Sequence, residues 1–185
     1  MISLDQRLEQ WIVEHRLGWL DPLFVGLTHA GAHGLLWIGL GIVVAVALRR
    51  PWVAITVPAA VVLADLSASG LKQATDRRRP EETLHGIDVL VTTPSTSGFP
   101  SGHAATSFAA VVVLSVAAPA VAPAIVVLAA LVGFSRLYVG VHFPLDVLAG
   151  AVLGAAVAGG LGVTVLAARA FRASRFKDAG SPCTD

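Results

Sequence analysis

Long apolar runs, separated by short charged turns, leave this chain few ways to fold. Stretches close to the ~20 residues that cross a bilayer as a helix recur at residues 22–48, 52–72, 102–118, 121–139 and 144–170. They predict five spanning helices in an all-α, integral membrane bundle. The third run is short and is counted for its Ala-rich, uncharged character. Composition agrees: 55% of the 185 residues are hydrophobic and 14% charged, with a mean hydropathy of +0.75. Ala, Gly and Val fill the runs, and small residues let helix backbones approach closely in lipid. One compact bundle without a soluble domain is expected. A formal net charge of +1 gives no reason to expect nucleic acid as a partner, and the single cysteine, Cys183, excludes a disulfide framework.

The first twenty residues carry Asp5, Arg7, Glu9, Glu14 and Arg16 where a cleavable signal peptide would carry an apolar core. Leu4, Leu8, Trp11 and Ile12 recur there at helical spacing, opposite Asp5, Gln6, Glu9, Gln10 and His15. That pattern predicts an amphipathic helix lying in the membrane interface, with a short sixth membrane helix as the alternative. The expected organisation is residues 1–21 as this segment, 22–171 as a domain of five to six transmembrane helices, and 172–185 as a disordered cytoplasmic tail.

Polar groups inside a span face the bundle interior and need partners. His29 and His33 lie four apart on one helix face, yet lack the further ligands of a metal site, so hydrogen bonding within the bundle is expected of both. Asp65, two turns before Lys72, must be paired, protonated or hydrated, as a packing residue or a functional one. Residues 81–99 form the only long polar loop, which could cover a site or admit a head group.

Three clusters at span ends carry the chemistry. Lys72 and Arg79-Pro80 end the second span, Pro100-Ser101-Gly102-His103 opens the third, and Ser135-Arg136 closes the fourth before His142 and Asp146 open the fifth. The bland reading of the last cluster is a helix cap with a nearby ion pair. Together, however, the clusters suit a tetrahedral oxyanion. Arg79 and Arg136 offer forked donors and Lys72 a point charge. Backbone N–H groups near Ser101 and Gly102 add donors at the positive end of a helix. His142, with Asp146 four residues on to fix its tautomer, is placed to attack phosphorus, and His103 to protonate the leaving oxygen and then activate water. The positive charge comes from side chains and a helix terminus, so no metal and no cofactor are expected. Arg77 and Arg78 read as a solvated flank near acidic lipid head groups, and loss of Arg77 is expected to be mild.

These residues resemble the three-part signature of the type 2 phosphatidic acid phosphatases, the membrane branch of a superfamily shared with vanadium haloperoxidases. Lys72, Arg79 and Pro80 match the first part, residues 100–103 the second, and Ser135, Arg136, His142 and Asp146 the third, in the same order. The resemblance covers residues 60–160 and implies a membrane lipid phosphatase using these residues in these roles. Members of the family commonly have six membrane helices, one more than the runs counted here.

All three clusters fall on one membrane face. The other face receives Arg49, Arg50, Arg169, Arg172, Arg175 and Lys177. With the site's own cations set aside, the positive-inside rule makes that face cytoplasmic and turns the site outward, in a multi-pass protein of the plasma membrane. The expected partners are membrane lipids and a lipid phosphate entering sideways from the bilayer. Undecaprenyl diphosphate, phosphatidylglycerophosphate and phosphatidic acid are the substrate types in view, with a slight lean to the first. Phosphotransfer to a hydroxyl, and a non-catalytic anion- or lipid-binding protein, are the alternatives.

Overall fold

The computed structural model describes residues 3–93 and 95–179, with side chains as far as residue 162. Among the described residues it is all-helical: α1 (Leu4–Glu14), α2 (Asp21–Ala30), α3 (Leu35–Ala47), α4 (Val53–Ala74), α5 (Pro80–Thr83), α6 (Gly102–Ala117), α7 (Ala122–Tyr138) and α8 (Pro144–Ala179). Local sequence explains several starts. Ser3 and Gln6 form a reciprocal capping box at α1. Prolines occupy the first turns of α2, α5 and α7, where their missing N–H costs nothing, and Pro144 opens α8.

Three helices are long and apolar enough to cross a membrane: Val53–Ala74, Pro119–Tyr138 and Pro144–Gly162. A fourth candidate is the pair Gly18–Ala30 and Ala32–Ala47, which the sequence presents as one run but which bends by 55°. The bend sits at His33 and Gly34, both with left-handed backbone, φ 51° and 71°. Glycine is required at the second of these, because a Cβ at Gly34 would collide with the Val61 side chain. The structure therefore supports three to four spans by length, where the sequence predicted five. The difference is α6, whose 16 residues rise only about 24 Å.

That short helix is the centre of the molecule. α6 packs against α4, α7 and α8, and Ala104, Ala105, Ala109, Ala110 and Leu114 along it are fully buried. Trp37 of α3, also fully buried, donates its indole N–H to Ser107 Oγ at 2.9 Å. On the α8 side the backbones nearly touch. A Cβ at Gly150 would strike the carbonyl oxygen of Ser101, and one at Gly154 that of Ala105. Small residues spaced four apart thus set the α6–α8 separation.

α1 turns its sides opposite to those of a helix on a soluble protein. Leu4, Leu8 and Trp11 are exposed, while Asp5 and Glu9 are buried against the bundle. Burial pushes the Glu9 carboxyl up to about 9 despite the nearby Arg16, so it is uncharged at neutral pH. At the other end α8 continues to Ala179, past the expected end of its span near residue 170. Residues 180–185 of the expected tail, Cys183 included, lie outside the described residues.

The α6–α8 contact yields a stability prediction. Gly154→Ala should lower the thermal midpoint of the detergent-solubilised protein, by an overpacking cost of about 1–3 kcal/mol. Gly159→Ala, at a position that nothing approaches within 4 Å, should leave the midpoint in place.

Candidate active site

The close approach of α6 and α8 brings two of the sequence clusters together, and α4 and α7 supply the rest. Six of the eight residues expected from the sequence, Lys72, Arg79, Gly102, His103, Arg136 and His142, line one cavity of about 660 Å³. The other two, Ser101 and Asp146, are fully buried behind it. They are joined directly: Ser101 N–H donates to the Asp146 carbonyl at 2.9 Å.

Each cation is held by neutral oxygens. Arg79, only 1% exposed, donates through Nε to the Thr96 carbonyl at 3.1 Å and through Nη1 to the Val141 carbonyl at 3.0 Å. Lys72 Nζ donates to the Ser97 carbonyl at 3.3 Å. The end of the 81–99 loop therefore builds the cationic wall as well as covering it. Arg136 Nη1 donates to Thr28 Oγ1 at 3.1 Å, and that hydroxyl lies 2.8 Å from Ser135 Oγ, which itself donates to the Val132 carbonyl at 2.7 Å. The Thr28 carbonyl also accepts from His103 Nε2 at 3.0 Å. Donation through Nε2 leaves Nδ1 of His103 as the nitrogen able to exchange a proton.

Thr28 thus ties His103, Ser135 and Arg136 to α2, and no sequence feature marks it out. A lone threonine in an apolar run carries no motif, and its partners lie more than 70 positions away.

His142, 2% exposed, sits at the turn between α7 and α8. Burial is the first cause that holds its imidazole well below the usual histidine range, reinforced by Arg136, Arg79 and Lys72. It is therefore neutral at physiological pH, the state a nucleophile needs. Asp146 Oδ2 lies 3.5 Å from its Nδ1, inside ion-pair range and outside hydrogen-bond range. The expected tautomer-fixing hydrogen bond is absent from this geometry. Oδ2 accepts the Phe143 N–H instead, at 2.8 Å, as a first-turn carboxylate reaching back to the backbone.

Arg77 corrects the sequence reading. Its Nη1 lies 3.0 Å from Asp146 Oδ1, an ion pair short of a well-directed hydrogen bond, and its Nη2 pairs with Asp5 Oδ2. The guanidinium also lies over the Phe99 and Phe143 rings. Asp5 Oδ1 accepts the Leu145 N–H at 2.9 Å, so α1 is fastened to the start of α8 beside Asp146. Arg78, by contrast, is exposed. Two adjacent arginines leave a chain in different directions, and sequence alone had no means of choosing between them.

Asp65, His29 and His33 all line the same cavity. The two histidines were expected to hydrogen-bond within the bundle; no hydrogen bond from either side chain is present among the described residues. No group of three His, Cys, Asp or Glu side chains among the described residues is placed to hold a metal ion.

Comparison with known proteins places the chain among relatives. The family profile described as the PAP2 superfamily matches residues 34–170. The decaprenylphosphoryl-5-phosphoribose phosphatase of Mycobacterium tuberculosis is 38% identical over 135 residues, which cover 71% of this chain and 73% of that protein. The undecaprenyl-diphosphatase of Sulfolobus acidocaldarius is 30% identical over 154 residues, covering 83% and 74%. Among solved structures, the transmembrane PAP2-type phosphatidylglycerolphosphate phosphatase of Bacillus subtilis superposes with a TM-score of 0.68 at 25% identity, covering 97% of this chain and 87% of that one.

The Arg77 ion pairs give a prediction at odds with the sequence reading. Arg77→Ala should lower phosphate release on the order of tenfold to a hundredfold, mainly through kcat, because a displaced Asp146 misplaces His142. Arg78→Ala should stay close to the parent in the same steady-state assay.

Proposed function

This chain belongs to the PAP2 superfamily, and we propose that it removes the terminal phosphate of a membrane lipid phosphate through a phosphohistidine intermediate. The observation that carries the proposal is a buried His142 facing a cavity lined by Lys72, Arg79, Arg136 and the N-terminus of α6. Phosphate binding alone needs no imidazole buried among three cations. In the first step His142 attacks phosphorus, a P–N bond forms, the P–O bond to the lipid breaks, and His103 delivers a proton to the departing oxygen. In the second, His103 takes a proton from water, whose oxygen attacks phosphorus and releases inorganic phosphate from His142. The cations and the Gly102 backbone N–H hold the charge on the equatorial oxygens throughout. Asp146, paired with Arg77, positions His142 and balances the charge it acquires.

The membrane arrangement follows from the same reading. α6 crosses as a short, largely buried helix, which raises the count to five transmembrane helices with the bent α2–α3 pair taken as one. Exposed Leu4, Leu8 and Trp11 seat α1 in the lipid interface while its acids face the protein. The site opens on the extracytoplasmic side of the plasma membrane. Arg50, on the cytoplasmic side, donates to the Ala117 carbonyl at 2.9 Å and caps the far end of α6. Relatives named for undecaprenyl diphosphate and decaprenylphosphoryl-5-phosphoribose support a polyprenyl anchor on the substrate.

Phosphate release by the purified protein in detergent with EDTA, on a panel of polyprenyl diphosphate, phosphatidylglycerophosphate and phosphatidic acid, tests the mechanism. His142→Ala and His103→Ala should each reduce release to background, Asp146→Asn should lower kcat with phosphate binding retained, and vanadate should inhibit. Full activity in His142→Ala would refute the nucleophile, and loss of parent activity on chelation would refute a metal-free cradle.

A further inference from the structure

The cavity is larger than a phosphoryl group needs. Its 660 Å³ lies within the roughly 300–1,000 Å³ of pockets that enclose whole small molecules. The part beyond the phosphate cradle has a composition of its own. Asp65, Ser69, Lys72 and Gln73 all reach it from α4, at spacings of four, seven and eight residues, which place them in one stripe along the helix. Only Lys72 belongs to the cradle. From there the stripe runs inward for seven residues to Asp65, about 10 Å of helix rise. His29 and His33 face it from the α2–α3 bend. A polar wall of this length within a membrane span is costly unless it serves a polar occupant or a water-filled path.

Two further observations say what kind of occupant fits. The stripe is unsatisfied: among the described residues the side chains of Asp65, Ser69, Gln73 and His33 make no hydrogen bond and no ion pair. The bend that presents His33 is also enforced. His33 holds a left-handed backbone, costly for a residue other than glycine, and Gly34 beside it packs against Val61 of α4. The charge then discriminates between ligands. Asp65 Oδ1 lies within van der Waals reach of a Cβ at Gly102, hard against the cradle. A second phosphate attached directly to the first would meet that carboxylate and be repelled, whereas hydroxyl groups would donate to it.

We propose that this half of the cavity is a subsite for a polyhydroxylated head group, a sugar or polyol standing between the reacting phosphate and the lipid anchor. Asp65 accepts from its hydroxyls, and Ser69, Gln73 and His33 complete the recognition. The substrate is then a lipid-linked sugar phosphate, in preference to a lipid diphosphate. The proposal rests on the lipid-phosphatase reading above, since the cradle defines which end of the ligand enters the subsite.

The test compares two substrates carrying the same prenyl chain, a prenyl diphosphate and a prenylphosphoryl pentose 5-phosphate, with purified protein in detergent. The parent should favour the pentose phosphate in kcat/KM. Asp65→Ala should reduce the ratio of the two kcat/KM values at least tenfold, chiefly through KM for the pentose phosphate, and Asp65→Asn should reduce it less. Gln73→Ala and Ser69→Ala, at positions exposed to the cavity, should each lower the same ratio and serve if Asp65→Ala fails to fold. A parent that prefers the diphosphate, or a ratio unmoved by the Asp65 and Gln73 substitutions, overturns the subsite and leaves the phosphatase reading standing. Phosphate release from neither substrate, with phosphatidic acid also inert, overturns the phosphatase reading and the subsite with it.

Discussion

The near contact of the α6 and α8 backbones is the constraint on which the rest of this structure depends. Gly150 and Gly154 remove the side chains that would hold the helices apart. In the gap that closes, Ser101 N–H reaches the Asp146 carbonyl. The N-terminus of α6 and the first turn of α8 are thereby locked together. One carries the backbone donors suited to an oxyanion, and the other follows the imidazole suited to attack. The separation of these two helix ends is therefore set by backbone packing.

Concentrating three cations around a buried imidazole is expensive unless the charges are answered. The fold answers them in two layers. On the cavity side, Arg79 and Lys72 give hydrogen bonds to backbone carbonyls of the 96–97 and 141 segments, and Arg136 to the Thr28 hydroxyl, which orients each cation without neutralising it. Behind the cavity, charges alternate: Asp146, then Arg77, then Asp5. Glu9 lies close enough to feel both Asp5 and Asp146, and with Asp5 and Asp146 already there, a third ionised carboxyl would spoil that alternation. Burial holds Glu9 neutral at physiological pH, so it adds an acid to the region without adding its charge.

What the sequence made legible was the chemistry that residue type and spacing determine. Lys72, Arg79, His103, Arg136 and His142 stood out because their side chains have few other uses at the ends of apolar helices, and the structure gathers them in one cavity. Long-range partnership was not legible. Asp5 and Arg77 are 72 positions apart, and Thr28 and Arg136 are 108 apart. Periodicity reports a helix's faces without saying what lies against them. It separated the two sides of α1 without showing that the bundle buries Asp5 and Glu9 and leaves Leu4, Leu8 and Trp11 exposed. Hydropathy likewise counted residues 22–48 as one straight span and gave no warning of the bend, since two residues with left-handed backbone leave no mark on an average.

That bend links the scaffold to specificity. Had α2 and α3 continued as one straight helix, the side chains on the inner face of the span would pack against α4 along its whole length, as apolar residues do in the rest of the bundle. The turn at His33 and Gly34 opens a wedge between them, and the α4 stripe facing that wedge is polar at Asp65, Ser69 and Gln73. A broken helix leaves backbone and side-chain groups unpaired at membrane depth, which is tolerated where they line a cavity. On the proposed reading, Lys72, Arg79, Arg136, His103 and His142 act on phosphorus and its oxygens, and the group next to the phosphate meets the polar side chains of α4 and the bend. The two regions are not independent, because Thr28 of α2 holds both Arg136 and His103.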